Sequence, residues 1–220
     1  MILMATIVSC NSTVNSKNTQ HQVLSGNVCS DSITARTMLR KGILRIKADE
    51  LQAKKDTVFI YNADFTLFGK IYSKDGYEEP IFIGQAPFCI KSYYPDYYII
   101  IFDCDKLSNG KYQVTINGLE KYISHTDGIT LYEDWEEHLK TSFIATDNTN
   151  PLRDEPSESG YQLNEYDYDN LSFEVIEIRK DWIKVICNMD CGGCPNNGVI
   201  SGWLKWRQGN LLLIRLYYDC

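Results

Sequence analysis

Short runs of alternating apolar and polar residues make up most of the chain. Seven such runs follow residue 41: GILRIKA, DTVFIYN, FTLFGKIYS, PIFIGQ, FCIKSYY, DYYIIIFDC and KYQVTI. Four more follow residue 170: LSFEVIEI, DWIKVIC, GWLKW and LLLIRLY. Each run has the length and β-branched or aromatic content of a strand and is bounded by turn-forming residues. The pattern predicts a mainly β protein with two strand-rich blocks.

One segment between the blocks has helical periodicity. In TLYEDWEEHLK, residues 130–140, Leu131, Trp135 and Leu139 recur every four positions, with acidic residues early and a lysine late. This predicts one short connecting helix, with His138 on its exposed surface. A cluster of carboxylates is expected on the same solvated surface: Glu133, Asp134, Glu136 and Glu137.

The N-terminus resembles the end of a bacterial lipoprotein signal. MILMATIVSC is apolar and ends in small residues before Cys10, and a polar segment follows. The resemblance implies a lipidated Cys10 and a periplasmic or outer-membrane lipoprotein of a Gram-negative bacterium, held at the membrane only by its lipid anchor. The expected organisation is a signal remnant (1–10), a flexible tether (11–41), a β domain (42–127), a connecting helix and linker (128–148) and a second β domain (149–220).

Charge narrows the range of partners. The chain has 22 basic and 29 acidic residues and a net charge of -7. No basic cluster is available to neutralise phosphates, which argues against nucleic acid. An acidic surface favours a cationic or neutral partner.

The two blocks share a weak internal similarity. FCIKSYYPDYYIIIF from Phe88 aligns with FEVIEIRKDWIKVIC from Phe173, and GLEKY from Gly118 aligns with GWLKW from Gly202. The two alignments have nearly the same offset in residue number, which indicates two copies of one small unit. Chance agreement between β-rich segments is the alternative.

The second block resembles a bacterial SH3 (SH3b) domain. The resemblance is carried by TNPLRDEPSESG, FEVIEIRKDWIKV and GWLKWRQGNLLLI, which occur in the family's order within residues 149–218. It implies a small barrel, with the first block as a diverged copy, and therefore two SH3-like barrels joined by one helix. A shared fold does not fix the ligand, and the family resemblance implies recognition of a peptide, a cell-wall glycan or an envelope protein.

Two tryptophans near the C-terminus must face opposite ways. Trp203 and Trp206 are three positions apart, so on a strand they lie on opposite faces of the sheet. The family resemblance places Trp203 inside the barrel, after a glycine that allows close backbone approach. Trp206 is then expected outside, either covering the helix around Trp135 or serving as a ligand platform.

Other aromatic residues are candidates for the same ligand surface. Acidic, tyrosine-rich stretches such as NEYDYDN provide rings that lose little conformational entropy on binding. The predicted ligand-binding residues are Trp206, Tyr166, Tyr168 and Trp182. The alternative for the tyrosines is strand packing.

Eight cysteines favour an oxidising compartment. In FCIKSYYPDYYIIIFDC, a hairpin that turns between Asp96 and Tyr97 sets Cys89 opposite Cys104, at a spacing that a disulfide can bridge. This predicts a Cys89–Cys104 bond, with two unpaired core thiols as the alternative.

A further cysteine cluster lies in VICNMDCGGCPNNG. Three interpretations compete: a disulfide staple of Cys191 with Cys194, or of Cys187 with one of them; a zinc site completed by Cys220; and a redox pair. The staple is favoured. A zinc site usually has two C-x-x-C units, and a redox C-x-x-C pair usually lies at the start of a helix. With Cys10 lipidated, seven cysteines remain, so at least one is free or pairs between chains, and Cys29 is the candidate.

Catalytic motifs are not recognisable in the sequence. The chain has three histidines, His21, His125 and His138, and none lies near a nucleophile signature. Phosphate-binding loops and metal-binding carboxylate spacings are also missing. The sequence therefore predicts a non-catalytic binding protein without cofactor or metal, and the alternative is a thiol-based metal or redox function at Cys187, Cys191 and Cys194.

Overall fold

The computed structural model describes residues 22–23, 28–30, 39–74, 80–84, 88–94, 97–163, 166–188, 194 and 199–218. For residues 22–30 it describes the backbone strands and not the side chains. Cys10, Cys191 and Cys220 lie outside the described residues, as does the side chain of Cys29. The predictions that concern them are not examined by the structure.

Strands dominate the described chain. In chain order they are β1 (Gln22–Val23), β2 (Val28–Ser30), β3 (Gly42–Lys47), β4 (Thr57–Tyr61), β5 (Leu67–Tyr72), β6 (Ile81–Ile83), β7 (Phe88–Ile90), β8 (Ser92–Tyr94), β9 (Ile99–Lys106), β10 (Lys111–Ile116), β11 (Leu119–Ser124), β12 (Thr130–Asp134), β13 (Phe143–Ala145), β14 (Phe173–Arg179), β15 (Trp182–Cys187), β16 (Ser201–Lys205), β17 (Arg207–Gln208), β18 (Leu211–Leu212) and β19 (Arg215–Tyr217). The helices are α1 (Ala48–Lys54), α2 (Trp135–Lys140) and a 3-10 turn at Tyr168–Asn170. The prediction of a mainly β protein is confirmed.

Two sheets define two units. The first unit is a ten-stranded sheet in the order β1-β6-β5-β4-β11-β10-β9-β3-β12, with β8 paired to β9 beside β10. The second unit is a five-stranded antiparallel sheet in the order β16-β15-β14-β13-β19, with a β17–β18 ribbon between β16 and β19 along the chain. Neither order returns to its starting strand among the described residues, so the described sheets are open and do not form the two closed barrels expected from the sequence.

Alternation and turn chemistry explain the local structure. In β10 and β15, buried residues alternate with partly exposed ones, as in strands with one face on a core. β10 and β11 are joined by Asn117 and Gly118, which both have positive φ. Asn-Gly is the residue pair that such a two-residue hairpin turn favours.

Strands β3 and β9 are buried on both faces, and this joins the units. Leu44 and Phe102 belong to the core of the first unit. Ile43 and Ile101 face the other way and share a core with residues of α2 and the second unit. The two sheets are therefore connected through apolar side chains, and the chain is not two independent modules on a linker.

The connecting segment differs from the predicted helix over 130–140. Residues 130–134 form β12, in which Leu131 lies opposite Arg45. The helix begins only at Trp135, because Asp134 caps it: the Asp134 carboxylate accepts from the Glu137 backbone N–H, and the Glu137 carboxylate accepts from the Asp134 N–H. Strands β12 and β13 extend the two sheets into the predicted linker. β1 and β2 likewise lie within the segment predicted as a tether, paired with β6 and β7.

The aligned segments of the two blocks have different partners. Lys121 on β11 lies opposite Val114 on β10, whereas the aligned Lys205 on β16 lies opposite Trp182 on β15. The sheets also differ in strand number and order. The sequence similarity is not matched by equivalent strand pairing.

Candidate functional site

A cleft of about 630 Å³ lies where the two units meet, and we call it the inter-unit cleft. Its volume lies within the range of small-ligand pockets. Residues from both units and from α2 line it: Leu39, Arg40, Lys41, Asp105, Trp135, Arg207 and Asn210.

Hydrogen bonds fix the walls of the inter-unit cleft. The Leu39 backbone N–H donates to the Asn210 carbonyl at 2.7 Å, which ties the start of the first unit to the turn between β17 and β18. The indole N–H of Trp135 donates to the Arg40 carbonyl at 2.7 Å. Trp135 is almost fully buried, so the cleft has a fixed aromatic floor.

Three cations line the cleft, and they differ in how far they are neutralised. Arg40 donates to Asp105 at 2.8 Å and to Glu120 at 3.3 Å. Burial opposes its charge, but these two carboxylates outweigh burial and raise the pKa of Arg40. Arg40 and Asp105 therefore form a structural ion pair in the cleft wall.

Arg207 and Lys41 have more unpaired hydrogen-bond donors than Arg40. The Arg207 Nε donates to Asp181 at 2.7 Å, and its guanidinium lies 4.6 Å from the centre of the Trp206 ring. Its terminal nitrogens make no hydrogen bond to another residue in the described part of the chain. The Lys41 backbone N–H is held by Asp105 at 2.9 Å, while its exposed ammonium forms no ion pair with a described residue.

A buried polar network lies at the same junction. His138 is fully buried, so its predicted place on the helix surface is wrong. Its Nδ1 lies 2.6 Å from Glu133 Oε2, and its Nε2 lies 3.0 Å from the Tyr218 hydroxyl. Arg45 Nε donates to the other Glu133 oxygen at 3.0 Å. Glu133 is also not on a helix surface, since it lies on β12 and is 9% exposed.

The charges in this network are fixed by burial and pairing. Burial raises the pKa of Glu133, but hydrogen bonds from His138 and Arg45 outweigh it and hold that pKa at about 2. Burial lowers the pKa of His138 and raises the pKa of Tyr218. A neutral His138 then donates from Nδ1 to the Glu133 carboxylate and accepts from Tyr218 at Nε2, so its role is structural.

A second cleft, of about 260 Å³, lies within the second unit. Its charged lining consists of Arg153, Glu158 and Lys205. Glu158 forms ion pairs with both cations. This cleft is smaller, and its charges are mutually neutralised, so the inter-unit cleft is the better candidate site.

Trp206 is not a surface platform. It is 1% exposed, its ring centre lies 5.8 Å from that of Trp135, and its indole N–H donates to the Lys180 carbonyl at 2.9 Å. Of the two alternatives, covering the helix around Trp135 is confirmed. Trp206 belongs to the core that the two units share, next to the inter-unit cleft.

Trp203 is buried, as predicted, with 5% of its surface exposed, but it lies outside the core that Trp206 shares with α2. On β16, Leu204 lies opposite the buried Ile183, whereas Trp203 lies opposite Lys184. Trp203 therefore lies on the face away from the shared core, with the Arg179 guanidinium 4.8 Å from its ring. The alternation predicted opposite faces correctly, and each of the two indoles is buried on its own side. Gly202 does allow the close approach expected of it, because a Cβ there would lie 3.1 Å from the Arg153 carbonyl oxygen.

The other predicted aromatic residues are scattered. Tyr168 is 1% exposed, and its hydroxyl donates to the Leu163 carbonyl and accepts from the Leu152 N–H, so it is a core residue and not a ligand contact. Tyr166 is partly buried against it. Trp182, also partly buried, lies opposite Lys205, which lines the second cleft. None of the four predicted residues lines the inter-unit cleft.

The predicted Cys89–Cys104 bond is wrong, although the hairpin register is correct. Tyr94 pairs with Ile99 and Ser92 with Ile101, as a turn between Asp96 and Tyr97 requires. The pairing ends at Ser92, and Cys104 instead lies between Gly42 of β3 and Val114 of β10. Cys104 is a buried free thiol, and Cys89 is in a disulfide.

In the second cysteine cluster, Cys187 bonds to Cys194. This is one of the staples considered from the sequence, and not the Cys191–Cys194 pair. The bond uses two of the sulfurs that a zinc site would need as thiolates. No group of three metal-ligating side chains is present among the described residues.

Sequence reasoning missed the lining of the inter-unit cleft. Lys41 and Arg207 are far apart in the chain and belong to no motif, so only the packing of one unit on the other brings them together. Comparison with protein families, curated proteins and solved structures finds no match for this chain. No helix among the described residues is long and apolar enough to cross a membrane.

Proposed function

We propose that this chain is a non-catalytic binding protein of the bacterial cell envelope, which recognises a peptide, peptidoglycan or a protein partner in the inter-unit cleft. The observation that carries the proposal is the cleft itself. Its size suits a small ligand or the end of a larger one, and hydrogen bonds from Trp135 and Leu39 hold its walls in place. Its side chains are groups that bind and orient a ligand: guanidinium, ammonium, amide and indole.

The disulfides support an envelope location. Cys187–Cys194 and the disulfide of Cys89 are stable in an oxidising compartment and rare in a reducing cytoplasm. The lipoprotein-like segment that ends at Cys10 agrees with export and a lipid anchor. A periplasmic or outer-membrane location in a Gram-negative bacterium agrees with both the disulfides and the lipoprotein-like segment.

The relation to SH3b domains is part of this proposal. The proposal draws on the short antiparallel strands β14 to β16 and β19, which lie within residues 149–218, and on the close approach at Gly202. We propose that the second unit is an open variant of that architecture. One face of its open sheet would pack against the first unit and α2. In a closed barrel, that face would pack only against strands of the barrel itself.

Two measurements test the proposed function. Thiols trapped in living cells should show Cys187 and Cys194 oxidised, and fractionation should place the wild type with membranes and Cys10→Ser in the soluble envelope fraction. Reduced thiols in a cytoplasmic chain would refute export.

Retention on purified peptidoglycan sacculi tests the ligand. Asn210 lines the cleft from an exposed turn, so Asn210→Arg should block entry and reduce retention. Asn109→Arg places the same side chain in another exposed turn, outside the cleft lining, and should leave retention unchanged. Equal retention of both variants would show that the cleft is not the binding site, and no retention of the wild type would remove peptidoglycan as the ligand.

A further inference from the structure

We infer that the inter-unit cleft binds a carboxylate group carried by a peptide, with Lys41 and Arg207 as its two charged contacts. This inference rests on the proposed function, because it assigns a ligand class to the same cleft. It also differs from the expectation drawn from net charge, which favoured a cationic or neutral partner.

Lys41 provides an available positive charge at a fixed position. Its backbone N–H donates to Asp105 Oδ1 at 2.9 Å, and Arg40 occupies the other oxygen of that carboxylate at 2.8 Å. Asp105 is therefore neutralised within the wall. The exposed Lys41 ammonium has no carboxylate partner among the described residues and can pair with an anion in the cleft.

Arg207 provides a pre-organised hydrogen-bonding fork. The Nε bond to Asp181 and the stacking on Trp206 hold the guanidinium in one orientation. Both terminal nitrogens are available, since no described residue accepts a hydrogen bond from them. A guanidinium that is already positioned binds a planar carboxylate through two parallel hydrogen bonds and loses little side-chain entropy in doing so.

The remaining lining selects what is attached to the carboxylate. Leu39 and Trp135 offer apolar surface beside the two cations. At a peptide C-terminus, the side chain and the carboxylate are attached to the same carbon atom, so the apolar contact and the charged contacts can form together. An aspartate or glutamate side chain next to an apolar residue presents similar chemistry, and the experiment separates these two sources.

Fluorescence anisotropy with labelled peptides tests the inference. The probe is fluorescein-Gly-Gly-Ala-Leu with a free C-terminal carboxylate, and its partner is the same peptide as a C-terminal amide. A third peptide, fluorescein-Gly-Gly-Glu-Leu-amide, carries its carboxylate on a side chain. We expect the free carboxylate to bind at least tenfold more tightly than the Ala-Leu amide, because each charge-assisted pair contributes strongly in a partly enclosed site.

Variants of the full chain identify the contacts. Lys41→Ala and Arg207→Gln should each weaken binding of the free-carboxylate peptide at least tenfold, while leaving the amide unchanged. Lys140→Ala removes the same charge from an exposed position outside the cleft and should change binding less than twofold. The exposed Lys41 side chain makes no hydrogen bond or ion pair with a described residue, so Lys41→Ala should fold normally and keeps the test valid if Arg207→Gln is unstable.

The outcomes separate the inference from the proposed function. The carboxylate site would be overturned if neither carboxylate peptide binds more tightly than the Ala-Leu amide, or if Lys41→Ala and Lys140→Ala have equal affinities. Tight binding of the glutamate peptide would support the carboxylate and assign it to a side chain. A chain that binds the carboxylate but is reduced and cytoplasmic would keep this inference and refute the envelope function. If the wild type and Lys41→Ala are retained equally on sacculi, the envelope function stands and the carboxylate inference is refuted.

Discussion

The buried Glu133 carboxylate predicts a specific dependence of stability on pH. Glu133 accepts hydrogen bonds from Arg45 and His138, and its pKa is about 2 instead of the usual 4.5. A carboxyl group with a lowered pKa in the folded state stabilises the protein above the pKa of the unfolded chain. That stability is lost as the pH falls from about 4.5 towards 2.

The difference between the two pKa values sets the magnitude. It corresponds to about 3 kcal/mol of free energy of unfolding at neutral pH, of which about 2 kcal/mol is lost by pH 3. His138 adds a separate effect of the same sign. Burial lowers its pKa below 6.5, so the unfolded state takes up the proton first and stability falls as the pH drops through that value.

Urea unfolding of wild type and Glu133→Gln at pH 7 and pH 3 isolates the Glu133 contribution. The amide keeps the shape of the side chain but does not titrate, so the wild type should be more stable by about 3 kcal/mol at pH 7 and by about 1 kcal/mol at pH 3. Glu136→Gln is the matched control, because Glu136 is exposed on the adjoining helix α2, and its effect should stay within about 0.5 kcal/mol at both pH values. A stability difference between wild type and Glu133→Gln that is the same at pH 7 and pH 3 would refute the assignment of a buried, ionised Glu133.

Three further predictions concern buried side chains and the disulfide. Burial raises the pKa of the Cys104 thiol to about 12, so iodoacetamide should leave it unmodified in the native chain and alkylate it in urea; native modification seen by mass spectrometry would contradict its burial. Cys194→Ser opens the short loop closed by Cys187 and should lower the free energy of unfolding by about 2–3 kcal/mol, and a variant as stable as the oxidised wild type would argue against the bond. Trp206→Ala should cost about 3–5 kcal/mol in urea unfolding, against about 1 kcal/mol for the half-exposed Phe59→Ala, and similar losses would show that Trp206 is not a core residue.

Local patterns predicted the strands well because they depend on neighbouring residues. The alternation in KYQVTI and DWIKVIC matches β10 and β15, and the turn between Asp96 and Tyr97 gives the observed β8–β9 register. A hairpin register follows from the turn, which the sequence contains. How far the ladder continues depends on competing strands, and this is why the extension to Cys89 and Cys104 failed.

Burial was harder to predict where it depends on the other unit. His138 looks like an exposed helix residue beside Glu137, and it is buried because Glu133 and Tyr218 satisfy both of its nitrogens. For Trp206 the sequence left two alternatives, contact with the helix around Trp135 or a role as a ligand platform, and could not decide between them. In the open sheet, Trp135 is the partner. Both cases depend on a partner supplied by a distant segment.

Helix α2 accounts for both the shared core and the site. Trp135 contacts Trp206 and donates to the Arg40 carbonyl, so its indole is fixed by both units at once. One turn later, His138 is held between Glu133 of the first sheet and Tyr218, which directly follows the last strand of the second. A helix fixed at two successive points by both sheets cannot shift without breaking contacts in each. The inter-unit cleft, whose floor is Trp135, is therefore a consequence of the docking of the two units, and neither strand-rich block contains it alone.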